Sequence, residues 1–420
     1  MSHAFKYRRA DAKSGRQSPR ALGITSGRGI ENRLFTEQRL LVYGSTVVVA
    51  YAILAWLLIR TEWINPDGTC RDFTWIWLSS KFALSSAPAQ AYDYSVFSAA
   101  RAALVGPPNC ILEHLDYPPT LLFFTYPLGL MPYSTAFAMW MVATLLLYLA
   151  AVYAIIPRPV AVIAAVTLHP VLINFLLGHD GFLTAGLIGL ALAFVERRPW
   201  LSGIFLGLLT YKPQFGILFP FALLASRNWR ALLSATAMSV MFGATAAIAF
   251  GYQVWPSFIG ALLERAWSLN QDRGLNEPLV SIFGFLRSAG VSAHISWTVQ
   301  LTVTAIVAVT VCALWTRPLS HSLKAAALCV GSLIASPHVI SYDLCILSIG
   351  VALLVADGLS HGFLPGERTV MLTCWAGLIP LTGPIPAIIC VALLVLVVRR
   401  ALLCQADALG TAPGLPEPVV

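Results

Sequence analysis

A carboxylate held among aromatics stands early in the chain, in Cys70-Arg71-Asp72-Phe73-Thr74-Trp75-Ile76-Trp77. A positioned carboxylate can take a proton from an attacking hydroxyl. Aromatic faces beside it, Trp75 among them, are what a pyranose ring stacks on, and equally what an interfacial aromatic belt shows. Asp67, Asp93, Glu113 and Asp116 share the same loop and read as solvated acids. Asp72 has the best claim, with Arg71 before it and Phe73 after it, close to the first apolar run.

Three further groups interrupt apolar sequence, where a charge costs roughly 2.5–3.5 kcal/mol on insertion scales. Lys212, in Leu209-Thr210-Tyr211-Lys212-Pro213-Gln214, reads either as a lysine snorkelling from a helix end or as an anion ligand facing a cavity. His338 and Asp343, in Ser336-Pro337-His338-Val339-Ile340-Ser341-Tyr342-Asp343, read as a polar helix start or as part of a site. Asn174 with Gly178-His179-Asp180 is a polar break between two apolar runs, more simply a short loop than a site.

These residues must be positioned by membrane helices. The chain has 420 residues, 58% hydrophobic and 11% charged, against about 25% charged in ordinary soluble domains. Spanning a bilayer takes ~20 apolar residues, with the backbone satisfied inside one helix. The expected architecture is all-α: a polytopic transmembrane bundle of ten to thirteen spans, with a long first external loop carrying surface helices. Residues 40–59 read as span one, 60–116 as that loop and 117–156 as two spans joined near Met131-Pro132. Further spans are expected over 160–177, 182–195, 231–250 and 295–315, with a broken stretch at 325–356 and a helical hairpin at 369–398. Residues 200–226, divided by Lys212-Pro213, read as two short helices meeting at one membrane face. A second external loop is expected over 251–293. Arg158, Arg197-Arg198 and Arg227 with Arg230 cannot all face the cytoplasm in this scheme without dropping a crossing.

The net charge of +8 is concentrated early: nine Lys or Arg against three acids in residues 1–39. That pattern holds the N-terminus in the cytoplasm more simply than it binds nucleic acid. Residues 1–38 are read as a disordered basic tail, 39–403 as the membrane domain and 404–420 as a Pro-rich tail. Of eight cysteines, six fall in or beside apolar runs and read as small hydrophobic fillers. Cys70 and Cys110 bracket the first loop and form a candidate disulfide. No Cys/His spacing suggests zinc, and no metal or cofactor is expected.

The order of parts resembles glycosyltransferase family 87. The resemblance rests on an Asp soon after span one, Tyr117-Pro118-Pro119, Gly203-x-x-x-Gly207-Leu208 leading into Lys212-Pro213-Gln214, and Ser336-Pro337-His338-x-x-x-Tyr342-Asp343. One departure is Gly178-His179-Asp180, where such proteins commonly read Gly-Gln and then Asn. The resemblance implies a GT-C membrane glycosyltransferase that moves a hexose, mannose in the best-known members, from a polyprenyl-phosphate sugar to an acceptor hydroxyl with inversion. The acceptor would be a glycolipid or glycan, and the active site would face outward from a cell membrane, bacterial in those members. It further implies Asp72 as the base and Lys212 and His338 as ligands of the lipid phosphate, with Asp343, Tyr117, Gln214 and Trp75 as substrate-binding residues. A transporter or flippase of a lipid-linked or small polar substrate shares broken helices and buried charges. It does not require the long acidic, aromatic first loop.

Overall fold

The computed structural model describes residues 37–58, 72–105, 115–270, 279–379 and 383–408, and every regular element among them is helical. α1 (Glu37–Leu58) is followed by α2 (Asp72–Ala83), a 3-10 turn (Pro88–Tyr92) and α3 (Tyr94–Val105). α4 (Leu121–Thr125) continues as a 3-10 turn (Tyr126–Leu130) before α5 (Tyr133–Ile155), α6 (Pro159–Val166), α7 (His169–Leu177) and α8 (Gly181–Phe194). α9 (Pro199–Leu208) leads through a 3-10 turn (Leu209–Tyr211) to α10 (Pro213–Gly216), α11 (Phe219–Ala225) and α12 (Trp229–Phe250). α13 (Val254–Asn270), α14 (Ile282–Ser288), α15 (Ala293–Trp315) and α16 (His321–Ala335) come next. A 3-10 turn (Ser341–Leu344) then opens α17 (Cys345–His361), and α18 (Glu367–Gly377) and α19 (Ile385–Ala408) complete the set.

Local sequence explains many of the starts. Pro159, Pro199 and Pro213 are the first residues of α6, α9 and α10, where a missing N–H is no loss. Asp93 precedes α3 and accepts from the Ser95 hydroxyl (2.7 Å) and the amides of Ser95 (2.9 Å) and Val96 (3.1 Å). The Ser95 hydroxyl and the Val96 amide hold its carboxyl below the usual carboxylate range.

Among the described residues, six helices are long and apolar enough to cross a membrane, or seven if the pair α6–α7, bent by 65°, is one span. Fewer helices are thus full-length than the ten to thirteen apolar spans expected. The other apolar stretches form helices of 10–17 residues, cut short by Pro and Gly. Several lie inside the bundle rather than against lipid: α8 is buried from Gly181 to Leu192. Such a helix has protein neighbours and need not match the bilayer thickness. Residues 117–156 hold one short helix and one long one, not two spans. The segment Leu121–Leu130 is only about 15 Å long at 1.5 Å per residue.

That difference resolves the charge conflict. Gly186 packs on Leu147 and Gly189 on Ala151, so α5 and α8 run parallel. Their C-terminal ends, with Arg158 and with Glu196-Arg197-Arg198, lie at one end of the bundle. Asn228 Nδ2 donates to Val195 O (2.9 Å) and His321 Nε2 lies 2.7 Å from Leu192 O, so Arg227, Arg230 and Lys324 join that end. It is secured by Arg400, whose Nε reaches Asp357 and whose Nη1 lies 2.6 Å from Glu367 Oε2.

The helix α2 differs from the surface helix expected of the first loop. Phe73, Ile76, Leu78 and Phe82 are buried. Phe73 meets Tyr133 and Phe137 edge-on, with centroids 5.2 Å apart in both cases. Aromatics that read as a membrane-facing belt instead seat α2 in the bundle. The first and second loops also meet, through Asp116 and Arg265 at 3.6 Å.

Candidate active site

At the opposite end, three chain breaks converge on Lys212. Pro213 disfavours helical geometry in the residue before it, and Lys212 is non-helical at φ −134° and ψ 66°. Its ammonium donates to Asp180 Oδ1 (2.7 Å) and Asp343 Oδ1 (2.6 Å). All three residues are at most 2% exposed. Asp180 directly precedes α8, and Asp343 sits in the 3-10 turn that opens α17, where its Oδ2 accepts from Ile340 N (3.0 Å). Helix N-termini favour negative charge, so both carboxylates sit where the backbone supports them.

Aromatic rings roof this centre. His179 stacks on Tyr342, with centroids 3.6 Å apart and planes 13° off parallel. His179 Nδ1 lies 2.6 Å from Asp180 Oδ1 and 2.9 Å from the Asp180 amide, which donates to it, and Nε2 faces the Tyr117 hydroxyl at 3.5 Å. Lys212 Nζ is 4.9 Å from the Tyr342 ring centre and 5.5 Å from that of Tyr117. Tyr211, below, donates to or accepts from Thr184 at 2.6 Å. Asn174 stitches the break by accepting Gly181 N on its Oδ1 (2.8 Å). Asp180 Oδ2 and Asn174 Nδ2 are buried and have no hydrogen-bond partner among the described residues.

Asp72 belongs to the same neighbourhood. It opens α2 directly before Phe73, and Phe73 lies against Gly178, the residue before His179. Its carboxylate is within electrostatic reach of Tyr342 and of Arg101. Unlike Asp180 and Asp343, it is half-buried rather than sealed. His338 is also half-buried, within electrostatic reach of Arg265, Lys212 and His179.

The structure thus brings together Asp72, Tyr117, Lys212, His338 and Asp343. Lys212, expected as a phosphate ligand, has its ammonium sealed between two carboxylates. Gln214 is half-buried beside Lys212 but is not drawn into the cluster, and Trp75 packs edge-on against Phe97 at 6.4 Å. Cys70 and Cys110 lie outside the described residues. Sequence reading passed over Asp180, His179 and Arg265. The Gly178-His179-Asp180 departure was the one signal at the right place.

The Gly203-x-x-x-Gly207 motif has a packing cause. A Cβ on Gly203 would stand 2.5 Å from Ala231 O, and one on Gly207 would stand 2.4 Å from Met238 Cβ. The two glycines let α9 and α12 touch backbone to backbone, which fixes the helix that delivers Lys212.

No curated protein and no solved structure matches the chain. The family model of glycosyltransferase family 87 matches residues 115–337, which hold Tyr117, His179, Asp180, Lys212 and both glycines of the motif. A helical membrane bundle whose interior breaks assemble these residues, matched over more than half its length, belongs to glycosyltransferase family 87 and is a membrane glycosyltransferase.

Proposed function

We propose that the chain transfers a hexose, mannose being the expected sugar, from a polyprenyl-phosphate sugar to a glycolipid or glycan acceptor. Asp72 takes the acceptor hydroxyl's proton as its oxygen attacks the anomeric carbon. The bond to phosphate breaks on the opposite face, so the sugar carbon inverts. The observation that carries this reading is the contrast among the acids. Asp180 and Asp343 are spent on Lys212 and sealed from solvent, whereas Asp72 is half-buried at the lip of the same cluster.

The leaving phosphate gains charge that a cation in a low-dielectric groove stabilises. Arg265, 3.6 Å from the partly exposed Asp116, suits that role better than Lys212, and His338 beside it, kept neutral by burial and by the neighbouring Arg265 and Lys212, can donate a hydrogen bond. Lys212 becomes the positioning residue that locks the starts of α8 and α17 against each other. Tyr117, Tyr342 and His179 supply ring faces for the sugar, and the buried Asp180 Oδ2 and Asn174 Nδ2 retain hydrogen-bonding capacity beneath them.

Membranes carrying the chain, given radiolabelled polyprenyl-phosphate mannose, should move label into an acceptor. Asp72→Asn should slow that transfer by about 10²–10⁴-fold, the usual contribution of a positioned base. Undiminished transfer by Asp72→Asn would remove the base assignment. Wild-type membranes inert toward every polyprenyl-phosphate hexose would remove the donor class.

A further inference from the structure

At the end of the bundle away from Asp72, a second site is built around an open cleft of about 350 Å³. Three helix starts meet there: Pro199 begins α9, Asn228 caps α12 and His321 begins α16. These helices have 10, 22 and 15 residues, long enough for each to present a positive N-terminal end to an anion. Asn228 and Ser320 each cap one amide, of Ala231 and Leu323, which leaves other first-turn N–H groups to be satisfied.

Side-chain charge has the same sign. Arg227, Arg230 and Lys324 line the cleft, and none forms an ion pair with a described residue. Glu196 is the acid among the lining residues, its Oε1 3.5 Å from His321 Nδ1 and its side chain 58% exposed. Asp357, reached through Ser320, is already held by Arg400. Arg227 is also the one described non-glycine residue with positive φ, at 55°. Such backbone conformations persist where the surroundings impose them, often at binding sites.

The neighbours of the cleft indicate where the anion comes from. Trp200 and Trp229, 56% and 54% exposed, directly follow Pro199 and Asn228 in the chain. Exposed Trp beside apolar helices marks the membrane–water interface, so the cleft lies at headgroup level. Basic pockets between helices at that level suit lipid phosphates.

We propose that this cleft binds a phosphate group, supplied by an anionic lipid headgroup. Free phosphate shares the chemistry, and the test separates the two sources. The purified full chain would be placed in phosphatidylcholine nanodiscs with and without phosphatidylglycerol. Thermal midpoint and lipid retained in native mass spectrometry would be read for both. Phosphatidylglycerol should raise the midpoint and be retained over phosphatidylcholine. Replacing Arg227, Arg230 and Lys324 by Gln should weaken that preference about fivefold per cation removed, the factor corresponding to ~1 kcal/mol per basic residue near an anionic surface. Glu196→Gln should strengthen it, and decides the matter if the triple variant does not fold. A preference unchanged by either variant overturns the proposal. A shift from inorganic phosphate as large as that from phosphatidylglycerol at equal concentration overturns the lipid as the source.

Discussion

Phe73 and Gly178 are in contact so close that no side chain fits between them: a Cβ on Gly178 would stand 2.6 Å from Phe73 Cβ. Gly178 also adopts φ +72° as the left-handed cap of α7. The contact joins the helix that begins with Asp72 to the break that carries His179 and Asp180. Gly178→Ala should push α2 away and cut turnover per folded molecule by roughly 10²-fold, the scale of a 1 Å misplacement. Gly216→Ala is the comparison, since its Cβ would meet only Leu209 Cδ2, at 4.0 Å. Equal turnover in both variants would show that α2 does not set the site.

Lys212→Met should damage the fold rather than merely the use of donor. It strands Asp180 and Asp343, and breaking a buried pair by removing one partner costs about 3–5 kcal/mol. Folded yield and thermal midpoint in detergent measure this. Adding Asp343→Asn to Lys212→Met should recover part of the loss, because contacting residues are coupled. A Lys212→Met protein as stable as wild type would return Lys212 to the role of a free cation.

What was legible in the sequence was local. Pro213 after Lys212 and the break at Ser336-Pro337 each act through their own neighbours and mark an element boundary, and the 203/207 glycine pair marks a close helix contact. What was illegible was pairing. Lys212 meets Asp343 across 131 residues and Asp180 across 32, so a lone lysine in apolar sequence resembled a ligand for something external. Helix length was illegible for a related reason. Apolar runs record burial, and helices such as α8 are buried by protein as fully as others are by lipid.

The far end of the bundle depends on Arg400, whose guanidinium holds Asp357 and Glu367 and donates to Gly362 O (2.7 Å). Asp343 and Asp357 lie near opposite ends of one helical stretch, about 21 Å apart at 1.5 Å per residue. Arg400→Gln should therefore destabilise by about 3–5 kcal/mol without altering the site's own contacts. Arg399→Gln removes only a 3.3 Å contact to Pro365 O and should stay within about 0.5 kcal/mol. Thermal midpoints compare the two, and similar midpoints would refute the clamp.

We propose an orientation from where the charges gather. Arg158, Arg197, Arg198, Arg227, Arg230, Arg317 and Lys324 lie at or near the ends of helices that lead away from the Asp72 site, and basic residues flank spans on the cytoplasmic side. On this proposal Asp72 faces outward. Ser95, at the start of α3, and Ser360, near the end of α17, are both exposed and sit on opposite sides in this arrangement. In a Cys70→Ser/Cys110→Ser background, Ser95→Cys should react with a membrane-impermeant maleimide on intact cells. Ser360→Cys should react only after permeabilisation. The remaining described cysteines are buried or half-buried, which keeps their background low. The reverse pattern would turn the molecule over, moving both the Asp72 site and the phosphate cleft to the other side of the membrane. Labelling of both on intact cells would mean that the two ends do not face opposite sides at all.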